Sequence, residues 1–520
     1  MQAGLFGDAL ESATHLISPG GNVTGRSLLF ILKRIFSISE IVYKCPTTMK
    51  KALPLLFAFL FFVLRIAVGQ KVYLPTTTSL ATRPVPEWYG KAKLGVFIHW
   101  GLYSVPAWAT PTTTPDKVKD WHHFYKNNPY AEWYLNTLRI AGSPTQLHHK
   151  EVYGANYDYY SFADSLSRQT KDWNADSWAE VFRDIGARYV VFTTKHSDGY
   201  VMYPSRVVNP FFDRNVITSK RDFAGEVATA VRKRGLKFGV YYCGGLDWTF
   251  YRSPITNLWP DLFQSMPKSV AYTTYADSHF FELIHRYAPD VLWNDVNYPE
   301  NGDLTGIFAE AIHANPDVVM NDRWRRSNEL THFTTPEYVV FDSITKQKWE
   351  TCRGIGYSFG YNQVETAQQL LSSEQLIKMF VDIVSKNGNL LINVGPKADG
   401  TIPENQLKPL KDLGKWLKKN GEGIYDTYPW TISSQVLDDK TELRFTRKNN
   451  VLYVYFLTSP KNRTISIPDC RLANGAKAIL VGENNEEIKL VKKPGSVQIE
   501  LPKNLAYANP FMVKISGIEE

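Results

Sequence analysis

Short runs of β-branched and aromatic residues alternate with amphipathic stretches of helical period between residues 94 and 392. This alternation is typical of βα units arranged around a parallel sheet. Six or more such units favour a barrel over an open doubly wound sheet, in part because no G-x-G-x-x-G motif follows the first run. We therefore predict an α/β fold built as a (β/α)8, TIM-like barrel.

The individual elements can be assigned from these runs. The predicted strands are Leu94–Ile98, Tyr189–Thr193, Phe238–Tyr242, Val291–Trp293, Val318–Met320, Tyr338–Phe341 and Leu390–Ile392. The helices predicted between them include Ser177–Ile185, Phe223–Arg234, Tyr275–Arg286 and Glu374–Ser385. The last of these begins with a capping-box pattern, because Ser372 lies three residues before Gln375.

The pattern changes near Gly421, after a charged helical stretch over residues 407–419. Alternating runs separated by turn residues follow, and they predict an antiparallel β-sandwich. These runs are Glu442–Thr446, Val451–Leu457, Thr464–Ile467, Ala478–Val481, Ser496–Leu501 and Phe511–Ile515. We place the barrel domain at residues 70–425 and the C-terminal β-sandwich at residues 426–520.

An export signal is predicted ahead of the barrel. The basic start Met49–Lys51 precedes the apolar run Ala52–Leu64, which is shorter than the roughly 20 residues that span a bilayer. Small residues in Ala67–Gly69 match a signal-peptidase site. We expect a signal peptide at 49–69, an upstream leader at 1–48 that belongs to neither domain, and an exported protein, periplasmic or extracellular, without a membrane anchor. A retained signal-anchor is the alternative.

The charge and motif content exclude several classes of function. Half of the net charge of +8 lies in residues 1–69, and no arginine-rich block occurs elsewhere, so we expect no nucleic-acid partner. No His or Cys pair has the spacing of a zinc site. The absence of a P-loop motif disfavours nucleotide binding. We therefore predict neither a metal nor an organic cofactor.

Ionisable or aromatic residues follow almost every predicted barrel strand. In a barrel of this kind the catalytic groups lie at the carboxyl ends of the strands. The residues at these positions are His99, Trp100, Lys195, His196, Asp198, Asp247, Trp248, Asp295, Asp322 and Arg323. Carboxylates combined with aromatic residues, which make up 14% of the chain, are the groups needed for glycoside hydrolysis.

Eight stretches in this order carry a family resemblance. They read LGVFIHWGLYSVPAW (94–108), AEWYLNTL (131–138), YVVFTTKHSDGY (189–200), FGVYYCGGLDW (238–248), VLWNDVNYPE (291–300), NDRW (321–324), RGIGYSFGYN (353–362) and GNLLINVGPKADGTIP (388–403). Together they make the chain similar to the α-L-fucosidases of glycoside hydrolase family 29. The C-terminal region resembles the sandwich of the same family.

The resemblance implies roles for individual residues. Asp295 matches the catalytic nucleophile, and Glu337 matches the acid/base of the bacterial members, with Glu350 as the alternative. Tyr241 and its neighbour Tyr242 face opposite sides of a strand, so that only one can point into the barrel mouth. The positions matching groups that bind the sugar hydroxyls or line the pocket around its methyl group are His99, Glu132, His196, Tyr241, Trp293 and Arg323.

The resemblance implies an exported retaining exo-glycosidase that hydrolyses terminal α-L-fucosides by double displacement. Its partners would be fucosylated oligosaccharides or glycoconjugates. One departure is Ser197, where relatives commonly have a second histidine. Since a hydroxyl is shorter than an imidazole, a hydrogen bond to the sugar is lost or bridged by water there. Two alternatives therefore stay open: a retaining glycosidase with altered sugar specificity, and a non-catalytic sugar-binding barrel.

Overall fold

The computed structural model describes residues 72–324, 329–482, 484–503 and 510–519. The predicted leader and signal peptide lie outside these residues. From Tyr73 onward the chain forms one compact unit. Within the described ranges, none of the helices combines the length and the apolar character needed to cross a membrane.

The first part of the chain alternates helices with parallel strands. Its helices are α1 (Thr77–Leu80), α2 (Glu87–Ala92), α3 (Trp121–Lys126), α4 (Tyr134–Arg139), α5 (Pro144–Tyr153), α6 (Phe162–Gln169), α7 (Ala175–Asp184), α8 (Arg214–Ile217), α9 (Phe223–Lys233), α10 (Val270–Tyr287), α11 (Leu304–Ala314), α12 (Ser373–Ser385) and α13 (Glu404–Asn420). Its strands are β1 (Leu94–Ile98), β2 (Tyr189–Lys195), β3 (Lys237–Cys243), β4 (Val291–Asp295), β5 (Val319–Met320), β6 (Trp349–Gly354) and β7 (Gly388–Val394). The predicted capping box is present at the start of α12.

Seven strands of the described chain form one curled sheet in the order β5-β4-β3-β2-β1-β7-β6, and every pairing is parallel. Residues 332–338 bridge the two edges without forming a regular strand. The N–H of His332 donates to the carbonyl of Met320 at 2.9 Å, and the N–H of Cys352 donates to that of Pro336 at 3.2 Å. This segment takes the place of an eighth strand with isolated bridges only, so the TIM-like barrel is not fully closed by regular strand pairing.

The predicted strand Tyr338–Phe341 is wrong. Tyr338 has a φ of 57°, which is incompatible with an extended strand, and the real strand is Trp349–Gly354. The sequence did not predict this strand because it contains Glu350 and Arg353, and charged residues are depleted in buried strands. The other six predicted barrel strands are confirmed, with shifts of a few residues at their ends.

The barrel strands are buried on both faces, as parallel strands covered by helices must be. Alternate residues such as Phe97, Val191 and Leu391 fill the barrel interior. Their neighbours, including Val96 and Val190, belong instead to the larger core beneath the surrounding helices. The interior residues near the carboxyl ends of the strands line the functional site.

The C-terminal region is an antiparallel sheet folded around its own core. Its eight strands within the described residues are β8 (Tyr428–Val436), β9 (Glu442–Lys448), β10 (Val451–Phe456), β11 (Thr464–Pro468), β12 (Arg471–Val481), β13 (Glu486–Lys493), β14 (Ser496–Glu500) and β15 (Phe511–Glu519). The order is β11-β14-β13-β12-β15-β10-β9-β8. Ile465 and Ile499, near one end of this order, share a core with Phe445 and Val454 near the other, which confirms the predicted sandwich.

The sequence missed two of these strands. The strand β13 reads Glu-Glu-Ile-Lys-Leu-Val-Lys-Lys and is largely exposed. Its many charged residues interrupt the alternation of apolar and polar residues that predicts a strand. The strand β8 contains Pro429, a residue that strands tolerate only at edges, and β8 is an edge strand. Both β8 and β9 pack against α12 of the barrel.

Candidate active site

A cavity of about 120 Å³ opens at the carboxyl ends of the barrel strands. All eight residues predicted from the sequence line it. The full lining is Phe97, His99, Tyr130, Glu132, Trp133, His196, Ser197, Tyr241, Trp293, Asp295, Val296, Arg323, Glu337, Cys352 and Phe359. The arrangement thus gathers residues from six strands, β1 to β6, and the loops that follow them around one small space.

Asp295 is the last residue of β4 and is held by two donors. The hydroxyl of Tyr241 donates to its Oδ2 at 2.8 Å, and Nη1 of Arg323 donates to its Oδ1 at 2.9 Å. The partly buried carboxylate therefore lies between a phenolic hydroxyl and a fixed positive charge, which hold it in one orientation.

Glu337 lies across the cavity from Asp295 and shares its arginine. Its Oε2 accepts from Nη1 of Arg323 at 3.1 Å, and its Oε1 accepts from the hydroxyl of Tyr130 at 2.8 Å. Because the nearer oxygens of the two carboxylates lie 2.9 and 3.1 Å from one nitrogen, they are no more than about 6 Å apart. Retaining glycosidases separate their carboxyl groups by about 5–5.5 Å, and inverting ones by about 6.5–9.5 Å.

The backbone beyond Asp295 is strained. Val296 and Asn297 have φ values of 55° and 75°, and a β-branched residue such as valine rarely adopts the left-handed region. Gly244 and Gly245 at the end of β3 both donate to the carbonyl of Asp295, at 3.2 and 3.1 Å. A side chain on Gly245 would collide with the carbonyl of Val296. The two glycines let the turn close tightly and fix the direction of the carboxylate.

Two buried histidines form the opposite wall. His99 bonds Oδ1 of Asn393 through Nδ1 at 2.7 Å, and burial lowers its pKa to about 4. Burial also holds the pKa of His196 well below its ordinary value. His196 stacks on Tyr241, and its Nδ1 is buried without a hydrogen-bond partner among the described residues. Both rings are therefore neutral near pH 7.

Glu132 brings a third carboxyl group to the cavity. Its Oε2 accepts from the N–H of Gly360 at 2.7 Å and from the hydroxyl of Ser358 at 3.3 Å. Burial raises the pKa of Glu132 to about 7, against the effect of these bonds. It can therefore accept or donate a hydrogen bond to a sugar hydroxyl near neutral pH.

Trp293 is positioned from below by Glu350. Its Nε1 donates to Oε1 of Glu350 at 3.0 Å, and the guanidinium of Arg323 lies 4.8 Å from its ring centroid. Glu350 also accepts from the hydroxyls of Tyr89 and Tyr189, so it is enclosed by aromatic side chains. It does not line the cavity.

The structure separates residues that the sequence could not. Tyr241 points into the cavity, whereas the hydroxyl of Tyr242 bonds Nδ1 of His279 on α10 at 3.0 Å. Asp247 pairs with the buried Lys195 at 2.9 Å, and Asp322 accepts from Thr335. Neither aspartate lines the cavity, and both hold loops in place.

Sequence reasoning did not assign six of the lining residues. Cys352 lies on the strand that was misplaced, and Val296 follows Asp295 directly. Phe97, Trp133 and Phe359 lie within the stretches that carry the family resemblance, but their side chains have no titratable group to mark them as candidates. Tyr130 directly precedes the stretch at residues 131–138. The interior-facing alternation of β1 would have found Phe97.

Ser197 lines the cavity beside His196. Its hydroxyl lies 3.2 Å from the thiol of Cys243. Across residues 72–324, 329–482, 484–503 and 510–519, no group of three or more His, Cys, Asp or Glu side chains is arranged to hold a metal ion. The chemistry of the site rests on carboxylates, an arginine, imidazoles and aromatic hydroxyls.

A family model described as Alpha-L-fucosidase matches residues 61–422, which is more than half of the chain. The chain belongs to the α-L-fucosidase family. It is therefore a glycoside hydrolase, and the whole cavity falls inside the matched region.

Individual α-L-fucosidases agree with this assignment. The tissue α-L-fucosidase of Mus musculus is 30% identical over 427 residues, covering 80% of this chain and 88% of the mouse protein. A Thermotoga maritima α-fucosidase in complex with fucose is 41% identical with a TM-score of 0.76, covering 85% of this chain and 100% of that one. A T. maritima α-L-fucosynthase in complex with α-L-Fuc-(1-2)-β-L-Fuc-N3 is 41% identical with a TM-score of 0.78, covering 86% and 100%.

Proposed function

We propose that this α-L-fucosidase is a retaining exo-glycosidase in which Asp295 is the nucleophile and Glu337 the acid/base. The observation that carries the proposal is the bridging of both carboxylates by one guanidinium nitrogen of Arg323 inside the cavity. The nearer oxygens are therefore no more than about 6 Å apart, which supports a retaining mechanism over the wider separation of inverting enzymes. Glu350 is enclosed beneath Trp293 and has no open path to a glycosidic oxygen.

In the first half of the reaction, an Asp295 oxygen attacks C1 of the fucosyl group. The bond from C1 to the glycosidic oxygen breaks, and that oxygen takes the proton of Glu337 as the leaving group departs. The product is a fucosyl ester of Asp295. Arg323 and Tyr241 hold the carboxylate in position for attack. Because their hydrogen bonds are already in place, the site does not have to rearrange as negative charge leaves the carboxylate during the attack.

In the second half, Glu337 acts as a base. It removes a proton from a water molecule whose oxygen attacks C1, and the ester bond to Asp295 breaks. Two inversions at C1 restore the configuration of the substrate. His99, Glu132, His196 and Trp293 surround the sugar, and the neutral histidines and the carboxyl of Glu132 orient its hydroxyls.

We further propose that the substrates are terminal α-L-fucosides of oligosaccharides or glycoconjugates and that the protein is exported. The small cavity supports attack on a chain end. The fucose named in the complex of the related T. maritima enzyme supports the choice of sugar. The signal-peptide pattern at residues 49–69 supports export, and N-terminal sequencing of protein recovered outside the cytoplasm tests it.

The nucleophile is tested by Asp295→Gly. We expect hydrolysis of an aryl α-L-fucoside to fall by about 10³-fold or more. Azide should restore part of the turnover and yield a fucosyl azide, because a small anion fills the space left by the carboxylate. Loss without rescue, or initial release of the β-anomer by the unaltered enzyme in NMR, would contradict the retaining mechanism.

The acid/base is tested by Glu337→Ala with Glu350→Gln as the comparison. Loss of the proton donor should slow natural glycosides by about 10²–10⁴-fold but affect substrates with good leaving groups far less. Glu350→Gln keeps one acceptor oxygen beneath Trp293 and should lower the hydrolysis of both kinds of substrate by the same factor. A leaving-group dependence in Glu350→Gln instead would move the proton donor to Glu350.

Ser197 supports a second candidate, a retaining glycosidase with altered sugar choice. Its side chain lines the cavity, and its hydroxyl is engaged with Cys243. The ratio of kcat/KM for an aryl α-L-fucoside to that for the configurationally matched galactoside measures this choice. A low ratio in the unaltered enzyme that rises in Ser197→His would favour the second candidate.

A further inference from the structure

Trp259 exposes 67% of its surface, the largest exposure among the tryptophans and phenylalanines of the described residues. It lies in the turn Leu258–Leu262, between β3 and α10, and Trp259 itself is extended. Phe263, 37% exposed, packs beside it with ring centroids 5.0 Å apart. Large apolar rings left in water at one place are typical of a binding surface.

This aromatic pair lies on the loop that rises from the catalytic end of the barrel. The loop leaves β3 after Cys243, which pairs in register with Asp295 on β4. Gly244 and Gly245, the first two residues of the loop, donate to the carbonyl of Asp295. The loop that carries Trp259 therefore starts at the nucleophile.

The loop is fixed to the segment that holds the proton donor. The side chain of Asn136 accepts from the N–H of Ile255 at 2.7 Å and donates to its carbonyl at 3.0 Å. Nearer to Trp259, Nδ2 of Asn257 contacts Nε2 of His122 at 3.0 Å. This second segment supplies Tyr130, which bonds Glu337. The exposed rings are thus held in a fixed place relative to the cavity.

Buried side chains connect the cavity wall to the turn of Trp259, because Leu258 and Leu262 of that turn pack against the core cluster that includes Tyr125 and Tyr130. Trp133 of the cavity wall contacts Tyr125, with ring centroids 5.6 Å apart, and Tyr125 contacts Trp121, with centroids 6.2 Å apart.

We infer that Trp259 and Phe263 form a platform for the sugar to which fucose is attached, that is, the pyranose ring of the leaving group. The inference rests on the proposed function. A cavity of about 120 Å³ is too small for a disaccharide, so the second ring must lie outside it, on the side of Glu337. The C–H face of a pyranose is complementary to an aromatic face.

The platform is tested with two donors that differ only in the leaving group, α-L-fucosyl fluoride and a fucosylated trisaccharide. Fluoride replaces the glycosidic oxygen and does not reach the rim. In Trp259→Ala, kcat/KM for the trisaccharide should fall about tenfold, mainly through KM, because an aromatic stacking contact contributes on this scale. Hydrolysis of the fluoride should stay within about twofold of the unaltered enzyme.

Two further variants complete the test. Trp259→Phe keeps an aromatic face and should retain most of the trisaccharide activity. Tyr428→Ala removes a ring that is 53% exposed on β8, remote from the cavity, and should change neither substrate. An equal loss on both donors in Trp259→Ala, or no loss on either, would overturn the platform. If the unaltered enzyme hydrolyses neither donor, the proposed function fails and the platform with it.

Discussion

Single buried carboxyl groups shape the site from outside the cavity, and Glu365 is the clearest case. Its Oε1 accepts from the N–H groups of Tyr357 and Ser358 at 2.6 and 2.8 Å. Ser358 in turn donates to Glu132 in the cavity wall. Burial raises the pKa of Glu365 from 4.5 to about 7 despite these bonds. The loop over 355–360 is thus fixed by a group that titrates near neutral pH.

This pKa shift predicts a pH dependence of stability. A folded-state pKa above the unfolded value means that folding takes up a proton, so the contribution is complete below pH 4.5 and is lost as the pH rises through about 7. Glu365→Gln should remove up to about 3 kcal/mol of that dependence. Chemical denaturation at pH 4.5 and 7 measures it, with the exposed Glu404→Gln as control. Identical pH profiles for Glu365→Gln and the unaltered protein would contradict the assignment.

At the scale of elements, one buried ion pair connects β2 to the loop after β3. Nζ of Lys195 lies 2.9 Å from Oδ2 of Asp247, and both side chains are fully buried. Asp247 also accepts from the N–H of Thr249 at 2.9 Å. The N–H of Trp248 donates to the carbonyl of Ser197 at 2.8 Å. The pair therefore sets the backbone that presents His196 and Ser197 to the cavity.

Removing one member of this ion pair should destabilise the fold more than removing both members together. Lys195→Met leaves the carboxylate of Asp247 buried and unpaired, and should lower the free energy of unfolding by about 3–5 kcal/mol. The double variant with Asp247→Leu removes that charge and should recover part of the loss. Denaturant titration of the three proteins gives the comparison. A single variant as stable as the parent, or a double variant with purely additive losses, would show that the two groups are not coupled.

At the scale of the whole molecule, the sandwich is anchored to the barrel through α12. Arg444 of β9 pairs with Asp382, which also binds Lys386 at 2.8 Å. Elsewhere, Nε1 of Trp416 on α13 donates to the carbonyl of Pro510 at 2.6 Å. None of these residues lines the cavity. The sandwich therefore contacts the barrel through residues outside the cavity lining.

Arg444→Ala should separate stability from activity. Loss of a charged hydrogen bond lowers the free energy of unfolding by about 1.5–3 kcal/mol, which lowers Tm by a few degrees. The kcat of the folded enzyme should not change. Arg471→Ala, at an exposed arginine of β12, serves as control and should leave Tm unaltered. A fall in kcat at temperatures far below Tm would mean that the sandwich shapes the active site.

The sequence by itself determined the class of fold and the identity of the main site residues. Apolar runs with the period of strands or helices predicted six barrel strands and the sandwich. Such runs can be recognised because burial on one or both faces of an element fixes which of its residues are apolar. Residues following the strands pointed to Asp295 and Arg323, because the carboxyl ends of parallel strands meet at one face.

Only the tertiary structure decided how the two edges of the barrel sheet are joined and which groups share the cavity. Residues 332–338 bridge its edges through contacts with chain far away in sequence, which local patterns do not encode. The same long-range packing turned Tyr241 inward and enclosed Glu350 beneath Trp293. It also brought Tyr130 to Glu337, 207 residues away. Local residue order specifies which faces are buried, but the curvature of the whole sheet determines which residues meet across the barrel.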